Sequence, residues 1–527
     1  MTIRNRAIHW MAAALCLTAT GCDQGNGHPL NSGNNVNNVN NVNNSTPCEG
    51  VTCSEHGTCT VVEAAARCTC DPGWHEEGLA CLADVPAGCG GPEPYLEPAD
   101  RLYMAPDGDD GAAGSLEEPL RTLEEAAGRL LYGGTIIVRG GVYPAEQWFD
   151  LSGTAENLLV IRAAEGEVPV FDGATVTGEW SSVLAFGAVQ NVVIDGLEIR
   201  NCTAANCAGI SADRVLNLTV RNCHIHHVQS SGARFFGSVL RLEGNYIHDA
   251  ALTNENNTDY PDGGWPTCMG TTPDRDLPED PWTDDVIIRD NTVEDCWGEG
   301  IGVWYGSNVL IEGNTVINPF NVGIYMDNSF NVRVLRNFVR ISRGMYGRSG
   351  SGITMATEPY DFWGLSTAPA RQIDIVNNVV VGGGGIGWWS SDEATDANTY
   401  EGIRVLHNTI VATTGGAIGF DAVGEGRPAP SACMAVNNIF VEAGSGGFDD
   451  PSAWTMADNA WLNQPVPDWA GETDVSVSFV VDPVTSALDV QAWVGQVGTG
   501  APDTGIVDDY LCVPRDLAQP GRGAFEK

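Results

Sequence analysis

Two side chains in the stretch NVGIYMDNSFNV, residues 321–332, have the chemistry of acid–base groups. Apolar Ile324 and Met326 alternate with Tyr325 and Asp327, which indicates a β-strand with one buried and one exposed face. A phenol and a carboxylate two residues apart on an exposed face can exchange protons with a ligand. The pair can equally be one rung of a repeat, so its surroundings must decide.

The strand belongs to a repeat. The segments GIGVW, GIYMD, GITMA, GIGWW and AIGFD align on their first apolar residue, and strand pairs joined by a turn lie between them. The turns usually hold Asn, namely Asn245, Asn291, Asn314, Asn337, Asn378, Asn408 and Asn438. Three short strands per turn of about 23 residues, with Asn stacked at one corner, predict an all-β parallel solenoid.

The alternation predicts two outward columns along the third strand of each turn. The first column is Gly302, Tyr325, Thr354, Gly387 and Gly419, and the second is Trp304, Asp327, Ala356, Trp389 and Asp421. Flat aromatic side chains stack on sugar rings, acids bind hydroxyls, and glycines leave room for a ligand. The columns therefore favour a sugar-binding groove, although each residue alone could be structural.

Long insertions interrupt the repeat at 251–285, 343–350, 357–371 and 391–401. Short turns suffice to close a coil, and ligand contact is a common reason for extra length. The insertions bring further candidates to the edges of the central strand, namely Arg348, Glu358, Tyr360, Trp363 and Asp392. We therefore predict catalysis by Tyr325, Asp327, Glu358, Asp392 and Asp421, and substrate binding by Trp304, Trp389 and Arg348.

A family resemblance supports the solenoid. The segment YMAPDGDDGAAGSLEEPLRTLEEAAGRL, the following GGTIIVRGGVYPAE and the final GAFE resemble right-handed parallel β-helix, pectin-lyase-like proteins over residues 102–527. The segment EPLRTLEEAAGRLL places Leu120, Leu123, Ala127 and Leu130 on one helical face, suited to capping the first coil. The resemblance implies a three-sheet β-helix and activity on, or binding of, polysaccharide, without choosing a reaction.

Three functions stay open at this point. Paired carboxylates could cleave glycosides, or Tyr325 with Arg348 could serve a lyase or epimerase acting beside a uronate carboxylate. The third is a cell-surface glycan binder or adhesin without catalysis. Lys527 is the only lysine, which excludes a lysine base of the kind that lyases of this fold use.

Composition limits the partners. The formal net charge of −42 disfavours nucleic acid and strongly anionic polysaccharides, and favours neutral glycans. Calcium is the cofactor that suits an acidic groove, although no loop has a recognised calcium-ligand spacing.

The first 47 residues predict export. Arg4 and Arg6 precede an apolar stretch that ends in TATGC at Cys22, which resembles a bacterial lipoprotein signal over residues 1–21 with Cys22 lipidated. A plain secretory signal is the alternative. Residues 22–47 contain NSGNNVNNVNNVNN and predict a disordered linker. We expect the protein in the bacterial cell envelope, at the outer membrane or cell surface rather than the inner membrane.

Six cysteines fall within residues 48–82, which predicts a disulfide framework in an exported chain. Their order, with Gly73 and Trp74 after the fifth, resembles an EGF-like module. That resemblance implies the pairs Cys48–Cys59, Cys53–Cys68 and Cys70–Cys81, and a spacer or protein-binding role. Residues 83–101 are predicted to link this module to the solenoid.

Other cysteines and histidines carry weaker signals. Among the remaining cysteines, Cys202 and Cys207 are the local candidates for a disulfide, and Cys223 stands where the repeat otherwise holds Asn, as a small buried thiol. His226 and His248 occupy equivalent outward positions beside Asp249. We interpret them as a stacked polar ladder, with a metal pair as the alternative.

Overall fold

The fold is that of a computed structural model. It describes Cys48 and segments 57–62, 65–70, 74–77, 80–83, 89–92 and 94–257, and then all residues to 526 except 258–265, 275–279, 342–349, 361–363, 391–397, 421–422, 424–425, 445, 449–450, 479–483 and 503. Two antiparallel hairpins come first, formed by β1 (Gly57–Val62) with β2 (Ala65–Cys70) and β3 (Trp74–Glu77) with β4 (Ala80–Ala83). In the part described, no helix is long and apolar enough to cross a membrane.

The remaining strands run parallel to their neighbours, and one α-helix precedes the first full coil. In chain order the first elements are β5 (Arg101–Met104), α1 (Leu123–Arg129), β6 (Gly134–Val138), β7 (Gly141–Pro144), β8 (Glu146–Ser152), β9 (Leu159–Ala163), β10 (Pro169–Asp172), β11 (Ser182–Asp195), β12 (Glu198–Cys202), β13 (Ala208–Arg221), β14 (His224–Val228), β15 (Ala233–Glu243) and β16 (Tyr246–His248).

Shorter strands follow, with 3-10 helices at Leu252–Asn257, Pro451–Ala453 and Ala487–Gln496. They are β17 (Thr267–Thr271), β18 (Thr283–Arg289), β19 (Thr292–Cys296), β20 (Glu299–Trp304), β21 (Gly306–Glu312), β22 (Thr315–Pro319), β23 (Ile324–Asp327), β24 (Phe330–Leu335), β25 (Phe338–Ile341), β26 (Ser351–Thr357), β27 (Ala370–Val376), β28 (Val379–Gly382), β29 (Gly384–Ser390), β30 (Tyr400–Leu406), β31 (Thr409–Val411), β32 (Ile418–Phe420), β33 (Cys433–Val436), β34 (Ile439–Val441), β35 (Gly447–Phe448), β36 (Trp454–Ala457), β37 (Ala460–Leu462) and β38 (Val475–Val477).

The strands stack into three parallel faces, as the repeat predicts. One face is a 13-stranded sheet that runs from β7 to β38. A second face contains β17, β20, β23, β26, β29, β32 and β35, and a third contains β18, β21, β24, β27, β30, β33 and β36. The long strand β15 pairs with both β17 and β18, so the second and third faces are continuous in the first coils. The prediction of an all-β parallel β-helix is confirmed.

A ladder of asparagines fixes the corner between coils. In the middle of it, Asn337 Oδ1 accepts both the backbone N–H and the side-chain amide of Asn314, each at 2.9 Å. Asn337 in turn donates to Ile311 O and to Asn378 Oδ1. The same pattern extends beyond the predicted members to Asn459. Cys223 donates its backbone N–H to Asn245 Oδ1, so it occupies the corner position as predicted.

Helix α1 covers the first coil, although it is shorter than the sequence predicts. Thr122 caps it by accepting the backbone N–H of Glu125, and its last residue is Arg129. Leu123 and Ala127 are buried, Leu120 lies before the helix in a bridge with Met104, and Leu130 follows it as the C-terminal cap. All four nonetheless pack on the main apolar core.

Disulfides connect distant parts of the chain. Cys48 is bonded to Cys59 and Cys202 to Cys207, so these two predicted pairs are confirmed. Cys68 is also disulfide-bonded, while Cys53 lies outside the described residues, as do the side chains of Cys70 and Cys81. Two further bonds, Cys89–Cys512 and Cys268–Cys296, were not predicted. Cys223 is a free buried thiol.

Replacing Asn337 by Ala tests the ladder. The change removes the acceptor of the Asn314 backbone N–H, one acceptor of the Asn314 side-chain amide and one donor to Ile311 O, all in a fully buried corner. We expect the free energy of unfolding, measured by urea titration, to fall by about 3 kcal/mol. The control Asn157→Ala removes an exposed side-chain bond to Tyr132 O and should cost less than about 1 kcal/mol. Equal losses in both variants would contradict the ladder's role.

Candidate functional site

The strand register brings the predicted columns together. Tyr325 lies opposite Gly302 on β20 and opposite Thr354 on β26. The same column continues to Gly387 and Gly419. The second column, Trp304, Asp327, Ala356 and Trp389, is aligned in the same way. The predicted register is therefore confirmed for every described member, while Asp421 lies outside the described residues.

The alternation on β23 is also as predicted. Ile324 and Met326 belong to the main core of the coils, whereas Tyr325 packs with Val322, Ala356 and Trp304 in a separate cluster. Tyr325 therefore points away from the interior of the coils.

The prediction that Tyr325 and Asp327 are exposed is wrong. Only 2% of Tyr325 and none of Asp327 is accessible. The chain that follows β26 folds back over them, with Tyr360 bridging to Leu365 and Asn328 Oδ1 accepting the backbone N–H of Ala368. The predicted insertion at 357–371 is thus real, but it covers the central strand instead of only lining its edge.

Hydrogen bonds join five polar residues under this cover. Tyr360 donates its hydroxyl to Asp327 Oδ2 at 2.6 Å, and Asn328 donates its side-chain amide to Asp327 Oδ1 at 2.9 Å. Tyr325 donates its hydroxyl to Glu358 Oε1. Glu358 completes the link by donating its backbone N–H to Asp327 Oδ1 at 3.3 Å. Tyr325, Asp327, Glu358, Tyr360 and Glu299, described next, are called the acid cluster below.

Glu299 is the member of the acid cluster that sequence reasoning missed. It opens β20 and is almost fully buried, and its Oε2 makes no hydrogen bond of normal geometry within the described residues. The sequence signal that could have identified Glu299 is WGEGIG, in which a charged residue interrupts a glycine-rich apolar strand. A buried carboxyl without a hydrogen bond at this oxygen is costly when ionised.

Burial raises the pKa values of all three acids, and the charge of Glu358 raises those of Asp327 and Glu299 further. Burial first, and then the charge of Glu358, raise the pKa of Asp327 well above its ordinary value. Burial raises the pKa of Glu358, and burial together with the charge of Glu358 raises the pKa of Glu299 well above normal. The pKa values of Tyr325 and Tyr360 are raised well above 10 by burial and by Asp327. Both phenols are therefore proton donors at neutral pH.

A cleft of about 310 Å³ adjoins the acid cluster. Thr354, Gly387, Gly419 and Trp389, which belong to the two columns, line it. Thr354 lies directly opposite Tyr325, and its buried hydroxyl has no hydrogen-bond partner among the described residues. Trp389 is 36% exposed. This part of the columns has the glycine-lined, Trp-edged form that the sequence predicts.

The other predicted site residues divide into two groups. Trp304 is half-buried and stacks on Tyr360 with ring centroids 5.7 Å apart, so it packs under the covering segment. Glu358 is partly exposed and lies at the edge of the acid cluster. Arg348, Asp392 and Trp363 lie outside the described residues. The structure thus brings together Tyr325, Asp327 and Glu358, next to a cleft that carries Trp389.

Comparisons with known proteins agree with this architecture. The family description "Pel9A-like, right handed beta helix region" matches residues 102–261, and "Right handed beta helix region" matches residues 281–395. The chain is a right-handed parallel β-helix, and these two matches lie within the coils of that fold.

Individual relatives are more distant. Pectate lyase PEL9 of Emericella nidulans is 39% identical over 79 residues, which are 15% of this chain and 19% of that protein. The chain thus spans about a fifth of the length of the curated relatives that it matches. The crystal structure of pectate lyase Pel9A is 15% identical, with a TM-score of 0.47 over 82% of this chain and 97% of that one. PfbA, a surface adhesin of Streptococcus pneumoniae, is 14% identical, with a TM-score of 0.43 over 64% and 79%.

Replacing Asp327 by Asn tests the protonation of the acid cluster. Because the folded-state pKa of Asp327 is raised, its protonated form contributes stability that is fully present below the unfolded-state pKa of about 4. That stability is lost as the pH rises toward the folded-state pKa. Asn does not titrate, so we expect the stability of Asp327→Asn relative to wild type to increase steadily from pH 4 to pH 8 in urea titrations.

Asp110→Asn is the matched control with the opposite sign. Burial raises the pKa of Asp110, but the backbone N–H groups of Thr122 and Arg121 outweigh it, and the net pKa is lowered. Its ionised form therefore contributes stability that is present above pH 4 and lost below it. The stability of Asp110→Asn relative to wild type should therefore be lowest near neutral pH. If the stabilities of both variants relative to wild type changed in the same direction with pH, the raised pKa assigned to Asp327 would be wrong.

Proposed function

We propose that this protein binds an extracellular polysaccharide in the cleft beside Trp389 and cleaves it with carboxylic-acid chemistry centred on Glu358. The carrying observation is the acid cluster, whose carboxyl groups have raised pKa values, directly beside a glycine-lined cleft with an exposed tryptophan. Perturbed acids beside a cleft are a common signature of catalytic sites.

The cleft supplies the binding half of the proposal. The exposed face of Trp389 can stack on a sugar ring, and Gly387 and Gly419 keep the floor low enough for the ring to approach. With a net charge of −42, the protein favours a neutral glycan over a strongly anionic one.

Glu358 is the catalytic acid in this proposal. Among the three acids of the cluster it is the one that is partly exposed, and burial raises its pKa. An acid with a raised pKa can protonate a glycosidic oxygen as the bond breaks. Asp327, held by Tyr360 and Asn328, is the positioning group, because its Oδ1 accepts the backbone N–H of Glu358. Asp392 and Asp421 stay candidates for the second catalytic carboxylate.

A lyase or epimerase is the second candidate, and the alignment with a pectate lyase favours it. In that reaction a base removes the proton beside a uronate carboxylate, and an Arg such as Arg348 neutralises that carboxylate. Tyr325 cannot easily be the base, because its raised pKa keeps the phenol protonated. It could serve as the acid. A product that absorbs in the ultraviolet as an unsaturated sugar would support this candidate over hydrolysis.

A non-catalytic glycan binder or adhesin is the third candidate. The complete burial of Asp327 and its hydrogen bonds to Tyr360 and Asn328 favour it, because a purely structural acid would be held in the same way.

The N-terminal region completes the proposal. We infer a signal peptide at 1–21, a lipid on Cys22, an Asn-rich linker at 22–47 and an EGF-like module at 48–82, with residues 83–101 joining it to the β-helix. The lipid would hold the protein in the cell envelope, at the outer membrane or surface. The disulfide Cys48–Cys59 and the two antiparallel hairpins are consistent with such a module, which would act as a spacer or bind a protein partner. Calcium in the acidic groove stays a proposal.

Two substitutions separate catalysis from binding on a polysaccharide identified by a glycan array. Glu358→Gln keeps the shape of the side chain but removes the acid, so we expect turnover to fall at least about 100-fold with little change in affinity. Trp389→Ala removes the stacking surface, so we expect affinity to fall about 10-fold.

Glu442→Gln and Trp180→Ala are the controls, since both side chains are exposed and lie outside the cleft. They should leave turnover and affinity unchanged. Retained turnover in Glu358→Gln would remove Glu358 from the reaction, and binding without any turnover in wild type would favour the glycan binder. Unchanged affinity in Trp389→Ala would show that the glycan binds elsewhere.

Cys22→Ala tests the lipid anchor. Without the thiol no lipid can be attached at this position, so we expect the variant to lose incorporation of a labelled fatty acid, measured on the protein isolated from cells grown with the label. The control Cys16→Ala alters a cysteine inside the signal and should keep the label. A variant Cys22→Ala labelled as strongly as wild type would contradict lipidation at this residue.

A further inference from the structure

Four of the nine histidines lie together on the outer side of the 13-stranded sheet, away from the acid cluster. Parallel pairing of β12, β14 and β16 places Glu198 opposite His224, and His226 opposite His248. His227 and Asp249 follow His226 and His248 in the chain. The predicted ladder is confirmed for His226 and His248, whose rings stack 4.9 Å apart and within 2° of parallel. Its extension to His224 and His227 was not predicted.

The nitrogen atoms of these rings converge. His224 Nε2 lies 2.8 Å from His248 Nε2, and His226 Nδ1 lies 2.7 Å from His227 Nδ1. Two carboxylates join the rings: Glu198 Oε1 is 3.5 Å from His226 Nε2, and Asp249 Oδ2 is 2.7 Å from His248 Nδ1. Stacking alone would not require the ring nitrogens and carboxylate oxygens to meet.

The side chains divide into two sets of one carboxylate and two imidazoles. In each set, Glu198 with His224 and His226, and Asp249 with His227 and His248, one ligand atom of every residue lies within 4.8 Å of the others. Ligand atoms bound to one tetrahedral zinc ion at about 2.0 Å are about 3.3 Å apart. Small side-chain rotations would bring the observed spacings within the sets, 3.5 Å for Glu198 and His226 and 2.7 and 3.9 Å from Asp249 to His248 and His227, to that value.

We propose that this histidine cluster binds a divalent transition-metal ion, zinc above all. One set of ligands, called the inner set, is Glu198, His224 and His226. The other, called the outer set, is His227, His248 and Asp249. Imidazole and carboxylate ligands suit zinc, copper and nickel. The inner set is the better enclosed, because the side chains of His226 and Glu198 are 12% and 17% exposed, against 53% and 41% for His227 and Asp249.

Neighbouring groups orient the ligands. Arg200 Nη1 donates to Glu198 Oε1 at 2.7 Å and is itself paired with Asp172 at 3.0 Å, so its charge is largely compensated. Tyr246 stacks on His224 with centroids 5.1 Å apart and donates its hydroxyl to Glu294. Such outer contacts fix ring orientation in metal sites.

An ion bound by the inner set would connect β12 to β14, and an ion bound by the outer set would connect β14 to the coil of β16. Because the ion binds the folded arrangement, it would raise the stability of these coils by mass action. The site stands on different residues from the cleft, so it is independent of the proposed function.

Zinc titration of the purified protein after removal of metals with EDTA tests the site. At pH 7.5 we expect isothermal titration calorimetry to give a Kd of 10 µM or tighter, on the order of a small protein zinc site, and the melting temperature to rise with zinc. The double variant His224→Gln/His226→Gln should weaken binding at least 10-fold and abolish the rise. Tyr132→Phe, which alters an exposed ring outside the histidine cluster and removes no imidazole, should bind as wild type does.

Other histidines of the chain could bind zinc, so the difference in zinc affinity between wild type and the variants decides whether this cluster is the site. Circular dichroism confirms that each variant is folded. If the double variant fails to fold, the exposed His227→Gln replaces it and should weaken binding at least 3-fold. Wild type with no zinc, copper or nickel affinity tighter than about 100 µM would overturn the proposal, and so would folded histidine variants that bind as wild type does.

Discussion

The coil-to-coil hydrogen bonding of the Asn ladder is the constraint on which the rest of the structure depends. From Asn245 onward, the corner Asn of each coil accepts amide hydrogen bonds from the corner residue of the coil before it, as Asn337 does from Asn314. Buried amides without partners are costly, so the ladder holds one register over many coils. That register places every third-strand residue directly above its equivalent in the next coil. Both the columns beside the cleft and the histidine stack are consequences of it.

The sequence alone predicts the structural features that recur with the period of the repeat. The alignment of Ile301, Ile324 and Ile353 predicted their pairing, and alternation predicted that Tyr325 would leave the main core. The corner Asn residues predicted the ladder for the same reason. These features are repeated in every coil, so a single sequence carries several copies of the same signal.

The structural features that the sequence does not predict involve segments outside the repeat. The insertion after β26 folds over Tyr325 and Asp327 through contacts of Tyr360, Leu365 and Ala368, which no period describes. The bond Cys89–Cys512 joins residues 423 apart, and spacing gives no guide to such a pair. His224 and His227 were missed because the column was read only at the positions of His226 and His248. Glu299 was missed because its strand reads as glycine-rich core.

Electrostatics gives the acid cluster its character. Many arginines of the β-helix pair with acids of a neighbouring coil, as Arg221 does with Asp195 and Arg404 does with Asp374. The described part of the acid cluster has no such arginine partner, and its acids are held by phenols and amides instead. Neutral hydrogen-bond donors compensate a buried carboxylate less completely than a guanidinium does. The result is a set of acids with raised pKa values near the cleft.

A crystal structure with a bound oligosaccharide, identified by a glycan array, tests the central claim most directly. The proposed function predicts a sugar ring stacked on Trp389 and a glycosidic oxygen within roughly 3 Å of a Glu358 carboxyl oxygen. An oligosaccharide bound on another face, with the segment around Tyr360 closed over Glu358, would contradict the account and leave the acid cluster a structural feature of the fold.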